Sequence, residues 1–187
     1  GCQSDESGSR FNLLTAILSV KCAIEYRKRT GGLNVGIITP FRAQSRIINS
    51  FLFEMKIKDE EIKASTVHKF QGSERDIIIF DMVDEIDKGP SKLTSGGTEA
   101  ISMRLANVAV SRAKKRFIFI GNSQFLKGHY NIRDNFYRLF KILEKKAITV
   151  TLSYNNNKKT NPMIWSSHSS LQYYASLAIA KSYIKQN

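Results

Sequence analysis

The sequence contains little cysteine: only Cys2 and Cys22 occur among its 187 residues. Two cysteines so placed provide neither a set of metal ligands nor a disulfide framework, and we expect Cys22 to pack on a helix face as a small apolar residue. The sequence also lacks an apolar run near the ~18 residues of a membrane-spanning helix, and its N-terminus is too polar for a signal peptide. These absences favour a reducing compartment, which we expect to be the cytoplasm, and they predict no membrane partner.

Acidic residues are scarce relative to basic ones. Asp and Glu total 16 against 29 Lys and Arg, which gives a formal net charge of +13. Such a balance favours a polyanionic partner, with nucleic acid ahead of a membrane surface, although a basic surface that is merely solvated is the alternative. With 42% hydrophobic residues the chain is long enough for one core. Because it begins with Gly1 and not Met, we expect a piece of a longer protein.

Apolar periodicity predicts strands alternating with helices. Helical spacing covers residues 11–28, and a second helix is expected to begin at Thr39 as its cap, with Pro40 in its first turn. The other predicted elements are strands at 33–39, 62–65, 76–83, 116–121 and 147–152, a loop at 84–102, and helices at 103–114 and around 136–143. Near-continuous Val, Ile and Phe strands of this kind predict an α/β fold, a parallel sheet in three layers with helices on both faces. We expect one domain over 1–152 and an appendage of unknown role over 153–187.

Polar residues cluster in three segments beside the predicted strands: 39–44, 66–74 and 107–116. Ligands of an open parallel sheet bind outside the carboxyl ends of the strands, so we expect all three segments at that edge. The permanently charged guanidinium forks of Arg42 and Arg112 suit phosphate oxygens.

The segment 66–74 holds several groups suited to a nucleotide or nucleic acid. Thr66 and His68 can hydrogen-bond a phosphate or a sugar, and Gln71 both donates and accepts. Gly72 permits a tight turn and a close ligand approach, and an ionised Glu74 accepts from a ribose hydroxyl or holds an arginine.

The segments "VGIITPFRAQ", "STVHKFQGSERDIIIFD" and "NVAVSRAKKRFIFIGN" resemble, in order and spacing, motifs IV, V and VI of superfamily 1 helicases. They are most similar to the branch of the nonsense-mediated-decay RNA helicase and its DNA-helicase relatives. "SRFNLLTAILSV" resembles the opening helix of that family's second RecA-like domain, and the resemblance covers residues 7–150.

The resemblance implies a RecA-like domain with the P-loop NTPase fold, part of a motor that hydrolyses ATP with Mg²⁺ and moves 5′-to-3′ on single-stranded DNA or RNA. The phosphate-binding loop G-x-x-x-x-G-K-[ST] is missing from this sequence. We therefore expect this to be the second, C-terminal domain. Its partner would be the N-terminal RecA-like domain of the same full-length protein, which would hold the Mg²⁺ ligands.

The resemblance also implies roles for single residues. Arg112 matches the arginine finger. Arg42 matches the motif IV arginine of some family members, although in the nonsense-mediated-decay enzyme that arginine falls at the position of Ser45. Gln71 and Gly72 match the pair between nucleotide and nucleic acid, and Glu74 a glutamate near the ribose and phosphates. The residues expected at the nucleic acid are Thr39, Pro40, Thr66, His68 and Ser111.

Two other interpretations stay open at this point. One is a RecA-like module that has lost catalysis and only binds nucleic acid or a protein. The other is a different α/β enzyme, such as a phosphatase or nuclease, for which the sequence offers the carboxylates Asp81, Asp84, Glu85 and Asp87. These end a strand and enter a loop, so we expect them to form a solvated turn.

Overall fold

The computed structural model describes residues 1–70, 72–85, 88–96 and 101–148. Gln71, Asp87, most of the expected strand at 147–152 and the whole appendage at 153–187 lie outside them. The elements are β1 Gln3–Ser4, β2 Arg10–Phe11, α1 Leu13–Arg29, β3 Val35–Thr39, α2 Arg42–Glu54, β4 Ile62–Thr66, β5 Arg75–Asp81, α3 Ile101–Ser111, β6 Ala113–Ile120, α4 Ser123–His129 and α5 Asn135–Lys146.

Four strands form a parallel sheet in the order β4-β3-β5-β6. Val35 lies opposite Ile62 on one side and Ile77 on the other. Because successive side chains of a strand point to opposite faces, Ile37 and Ile79 pack with α1 and α2, whereas Ile38, Ile78 and Phe80 pack with α3, α4 and α5. The predicted three-layer α/β fold is confirmed. In the described part of the chain no helix has the length and apolar character to cross a membrane.

The connection from β4 to β5 crosses the sheet without a long helix. β4 ends with Thr66 at the carboxyl edge, and β5 begins with Arg75 at the amino edge, on the far side of β3. Residues 67–74, which we call the crossover, therefore span the sheet from edge to edge. Val67 and Phe70 are buried in the core on this face. Packing of Val67 and Phe70 therefore holds the first half of the crossover against the sheet.

Gly36 on β3 makes room for the crossover. A Cβ at this position would lie 2.5 Å from Phe70 Cζ and 2.8 Å from Ile78 Cδ1, which are distances that real Cβ atoms do not tolerate. The absence of a side chain at Gly36 therefore lets the Phe70 ring pack directly against β3.

Several predicted boundaries are wrong. α2 begins at Arg42, after Phe41 at the cap position, and Thr39 is the last residue of β3, so neither Thr39 nor Pro40 caps or opens that helix. α3 ends at Ser111 and not at residue 114, because Ala113 already pairs with Arg75 in the sheet. Sheet pairing therefore outweighs helical periodicity at this junction.

Two features were not predicted and one was confirmed. β1 and β2 form a short antiparallel pair, and α4 is capped by Asn122, whose side chain accepts from the Phe125 N–H at 3.0 Å. Cys22 packs half-buried against the core of α1 and α2, as predicted, and burial raises the pKa of its thiol to about 11.

Candidate functional site

The candidate residues lie at two opposite edges of the sheet. Glu74 directly precedes β5 and Arg112 directly precedes β6, so both lie at the amino edge. The main-chain N–H of Arg75 donates to the Arg112 carbonyl oxygen at 3.0 Å, which joins these two segments. Thr39 and Thr66, by contrast, end β3 and β4 at the carboxyl edge. The expectation that all three polar segments meet at the carboxyl edge is therefore wrong for Glu74 and Arg112.

Arg112 presents an unpaired donor at the amino edge. Its side chain is half-buried, its Nε is buried, and no acceptor among the described residues reaches that atom. The structure shows no ion pair for it within the described ranges. A buried guanidinium N–H without a partner is unusual. No carboxylate in the described ranges neutralises this guanidinium, so the exposed part of the side chain can pair with an anionic ligand. Ser111, next to it, is exposed and donates its hydroxyl to the Val108 carbonyl at 3.2 Å.

The Nε of Arg75 is also buried without an acceptor in the described part of the chain. Its Cγ lies beside Gly36 on β3, and its terminal nitrogens approach the carbonyls of Glu74 and Asp59 at 3.4 and 3.5 Å. The side chain of Arg75 thus extends across β3 toward Asp59, away from Arg112, which directly precedes β6.

The crossover brings Glu74 to the same edge. Its carboxylate is about half exposed and lies 3.5 Å from the Lys114 Nζ. Gly72, two residues earlier, has φ 80, a left-handed conformation that glycine adopts without strain, and a Cβ there would meet nothing within 4 Å. The amino edge therefore combines a buried cationic donor, an accessible carboxylate and a glycine with open space beside it. Gln71, which precedes Gly72 in the predicted motif, lies outside the described residues.

The carboxyl edge exposes fewer of the predicted contacts. Thr39 and Thr66 are register partners, but they are 0% and 7% exposed, and Pro40 is buried as well. His68, in the short 3-10 helix His68–Phe70 that opens the crossover, is exposed. Among these residues it is the side chain of His68 that solvent and ligands reach.

Arg42 is not brought near Arg112. It is exposed, opens α2 and lies at the carboxyl edge, whereas Arg112 is at the amino edge. The strand length between the two edges is roughly 20 Å. Ser45 and Arg46 belong to the same first turns of α2. The structure therefore does not assemble these two arginines around one phosphate within this domain.

Sequence reasoning missed a buried polar cluster at the carboxyl end of β5. Asp81 is fully buried, accepts from Gln44 Nε2 at 2.6 Å and accepts from the Ser19 hydroxyl at 3.2 Å. Gln44 in turn accepts from the Asn12 N–H at 2.8 Å. Burial raises the pKa of Asp81 to about 6, against the lowering effect of the Gln44 hydrogen bond. Gln44 of the first polar segment thus links α2 to α1 and β5 through buried hydrogen bonds.

Asp84 forms a second buried centre. Its carboxylate pairs with Arg10 at 2.7 Å, accepts from the Tyr130 hydroxyl at 2.9 Å and accepts from the Thr94 hydroxyl. Burial raises the pKa of Tyr130 well above its usual range. The predicted solvated turn is therefore wrong for Asp81 and Asp84. Within the described residues no three His, Cys, Asp or Glu side chains are grouped to hold a metal ion.

Comparison with known proteins shows that the sequence of this chain is similar to helicases. A family model described as "AAA domain" matches residues 3–124. Similar relatives include the probable RNA helicase armi of Drosophila melanogaster, 33% identical over 66% of this chain, and an uncharacterized ATP-dependent helicase of Methanocaldococcus jannaschii, 33% identical over 65%. The DNA polymerase alpha-associated DNA helicase A of Schizosaccharomyces pombe is 31% identical over 64%. The matched segments span 10%, 16% and 16% of these relatives, so the chain corresponds to a small part of each.

Proposed function

Because the chain belongs to the AAA domain family and is a superfamily 1 helicase-type domain, we propose that it is the second RecA-like motor domain of an ATP-dependent helicase. In this proposal its amino edge faces the nucleotide and its carboxyl edge faces a single strand of DNA or RNA. The first RecA-like domain, in the same full-length protein, would provide the opposite wall of the nucleotide cleft and the Mg²⁺ ligands.

The observation that carries the proposal is the buried Arg112 Nε without an acceptor in the described chain, at the edge that also holds Glu74. A γ-phosphate oxygen in the cleft would pair with the exposed part of this half-buried guanidinium, whose charge no described carboxylate neutralises. Arg112 would then stabilise the negative charge that builds up on the transferring phosphoryl group, an effect that can reach ~10³ or more in rate. ATP with Mg²⁺, when bound, supplies the phosphoryl group and the metal charge.

Glu74 would act at the sugar of the same nucleotide. Its carboxylate is accessible and accepts hydrogen bonds only, so a ribose hydroxyl is a suitable donor. Gly72 would let the nucleotide approach the main chain, since its open surroundings leave space there.

The crossover would link nucleotide and strand. One end of the crossover carries His68 and the other carries Glu74, and the buried side chains of Val67 and Phe70, on either side of His68, hold the His68 end against the sheet. A displacement of Glu74 would therefore move along the crossover to His68 at the strand-facing end. The charge of +13 supports a phosphate backbone as the partner there. The names of the relatives include both RNA and DNA helicases, and 5′-to-3′ movement is proposed from the motif resemblance.

The decisive experiment is Arg112→Ala in the full-length helicase, with strand-stimulated ATP hydrolysis and single-strand affinity both measured. We expect turnover to fall about 10³-fold while strand affinity is retained. Arg104→Ala is the matched control, because Arg104 is an exposed arginine on α3, the helix that ends directly before Arg112.

Unchanged turnover in the Arg112→Ala protein would overturn the proposed role. The isolated chain should hydrolyse almost no ATP, and robust hydrolysis by it would contradict the division of labour between two domains. Strand binding without any hydrolysis by the wild-type full-length protein would favour the inactive binding module instead.

Arg42 is tested separately. It lies at the carboxyl edge, so we propose that Arg42→Ala weakens strand binding rather than hydrolysis. If Arg42→Ala instead abolished ATP turnover and left strand affinity intact, Arg42 would act at the nucleotide.

A further inference from the structure

We propose that Lys114 is a positioning residue of the nucleotide site, acting through Glu74; the inference rests on the proposed function. The Lys114 Nζ lies 3.5 Å from the Glu74 carboxylate, and Lys114 follows Arg112 by two residues. Neither the family motif that assigns Arg112 nor the one that assigns Glu74 gives Lys114 a role here.

The next residue, Lys115, provides a contrast within the same strand. It pairs with Asp76 at 3.2 Å, and its side chain is 57% exposed, as is that of Lys114. Both lysines lie in the stretch between Ala113 and Arg116 where the pairing of β5 with β6 shifts register. The two lysines are matched in type and exposure and differ in the carboxylate that each ion-pairs, Glu74 for Lys114 and Asp76 for Lys115. The pKa of Asp76 is lowered chiefly by its hydrogen bond with Lys115 and, to a smaller extent, by the charge of Lys114.

The two carboxylates differ in what else binds them. Asp76 is 18% exposed, and besides Lys115 it accepts from the Asn34 main-chain N–H at 3.3 Å, while its own N–H donates to the Asn34 side chain at 2.7 Å. Asp76 is thus tied into the start of the sheet. Glu74 is 52% exposed, and its single side-chain partner within the described ranges is Lys114. Its other lone pairs are open to a ligand.

Electrostatics explains why such a carboxylate needs a cation. A bare glutamate beside a nucleotide would repel the phosphates, and its flexible side chain would sample many rotamers. Lys114 neutralises the charge and restrains the carboxylate, so that Glu74 can accept from a ribose hydroxyl at a lower entropic cost. The lysine therefore acts on nucleotide affinity and on sugar selectivity, whereas Arg112 acts on turnover.

The test uses the full-length helicase with a saturating concentration of single-stranded nucleic acid. We measure kcat and KM for ATP, 2′-deoxy-ATP and 3′-deoxy-ATP in Lys114→Ala, Lys114→Arg and Lys115→Ala. For Lys114→Ala we expect the KM for ATP to rise up to about fivefold with little change in kcat, because an exposed ion pair is worth at most about that factor. The preference for ATP over the deoxy analogue that lacks the recognised hydroxyl should shrink, and Lys114→Arg should restore both. The Lys115→Ala protein should keep the wild-type KM and sugar preference.

Coupling to Glu74 is tested with Glu74→Gln and the double variant Glu74→Gln/Lys114→Ala. If Lys114 acts through Glu74, the double variant has the same KM and sugar preference as Glu74→Gln alone. The inference would be overturned if the KM increases of Glu74→Gln and Lys114→Ala multiplied in the double variant. Equal KM changes in the Lys114→Ala and Lys115→Ala proteins would also overturn it. If Arg112→Ala abolishes turnover while Lys114→Ala changes nothing, only the role of Lys114 fails. If Arg112→Ala leaves turnover intact, the proposed function fails.

Discussion

The side-chain amide of Gln44 donates a 2.6 Å hydrogen bond to the buried carboxylate of Asp81. This contact joins the first turn of α2 to the last residue of β5, at the carboxyl edge of the sheet. It shows that part of this edge is occupied by the chain's own polar groups. A ligand at this edge must therefore use the exposed surface beyond them, which is where the crossover begins.

The first prediction concerns the pH dependence of stability. Burial raises the folded-state pKa of Asp81 from 3.8 to about 6, so the folded chain binds this proton more tightly than the unfolded chain does. The contribution of Asp81 is most favourable below the unfolded pKa and is lost as the pH rises through about 6, a change of ~3 kcal/mol over that window. Asp81→Asn should remove this slope, which urea unfolding of the purified chain from about pH 3 to about pH 7.5 measures.

A control for Asp81→Asn is Glu60→Gln, a change at an exposed carboxylate. The Glu60→Gln protein should follow the wild-type pH profile, including the opposite contribution of carboxylates whose pKa is lowered, such as Asp76 and Glu61. Parallel profiles of wild type and Asp81→Asn would show that Asp81 does not hold its proton more tightly when folded.

The second prediction concerns the contact between Gly36 and Phe70. Gly36→Ala places a Cβ 2.5 Å from Phe70 Cζ and 2.8 Å from Ile78 Cδ1, so these side chains must shift, and we expect a loss of about 1–3 kcal/mol in the free energy of unfolding. Adding Phe70→Leu should recover part of this loss, because it removes the ring atom that clashes.

Gly128→Ala serves as the comparison for Gly36→Ala. Gly128 lies in α4, and a Cβ added there would meet no atom within 4 Å, so alanine should stabilise the chain by up to about 1 kcal/mol. If both alanine variants shift the unfolding midpoint in the same direction, close approach of the crossover is not what requires glycine at position 36.

The third prediction concerns the ion pair of Arg10 with Asp84, whose side chains are 17% and 0% exposed. Arg10→Ala leaves a buried carboxylate without its cation, and we expect a loss of about 3 kcal/mol in the free energy of unfolding, since the hydroxyl donors of Thr94 and Tyr130 remain. Arg29→Ala, which breaks an exposed pair at 3.9 Å, should cost at most about 0.5 kcal/mol. Equal losses in chemical denaturation would show that burial does not set the strength of the Arg10 pair.

Sequence periodicity was sufficient for the layers of the fold but not for the burial of its polar residues. The runs around Ile37 and Ile78 are apolar on both faces, and this alone predicts strands covered on both sides. Asp84 looks like part of a polar loop because its partners, Arg10 and Tyr130, are 74 and 46 residues away in the sequence. Such long-range pairing leaves no local pattern, and the seven-residue α4 is too short for a clear apolar period.

The candidate site shows a similar division. The motif resemblance selected Glu74 and Arg112 together, and the structure brings both to one edge. The edge itself was predicted wrongly, because a residue that precedes a parallel strand lies at the amino end and only a residue that follows it lies at the carboxyl end. Helical spacing continued the predicted helix to residue 114, and that error hid the strand start at Ala113.

The fourth prediction concerns salt and the strand-facing edge. Each phosphate neutralised on a single strand contributes about −0.7 to the slope of log affinity against log salt concentration. Lys69 is exposed in the crossover next to His68, so Lys69→Ala should weaken strand binding and reduce that slope by about one such increment. Lys28 is exposed in the last turn of α1, which runs from the carboxyl edge near Gln44 toward the opposite edge, so Lys28→Ala should leave the slope unchanged.

Fluorescence anisotropy of the full-length helicase with labelled single-stranded DNA and RNA, at several salt concentrations, measures both slopes and compares the two nucleic acids. Equal reductions by the two lysine variants would indicate diffuse charge attraction over the whole surface, and would argue against a strand path at the carboxyl edge.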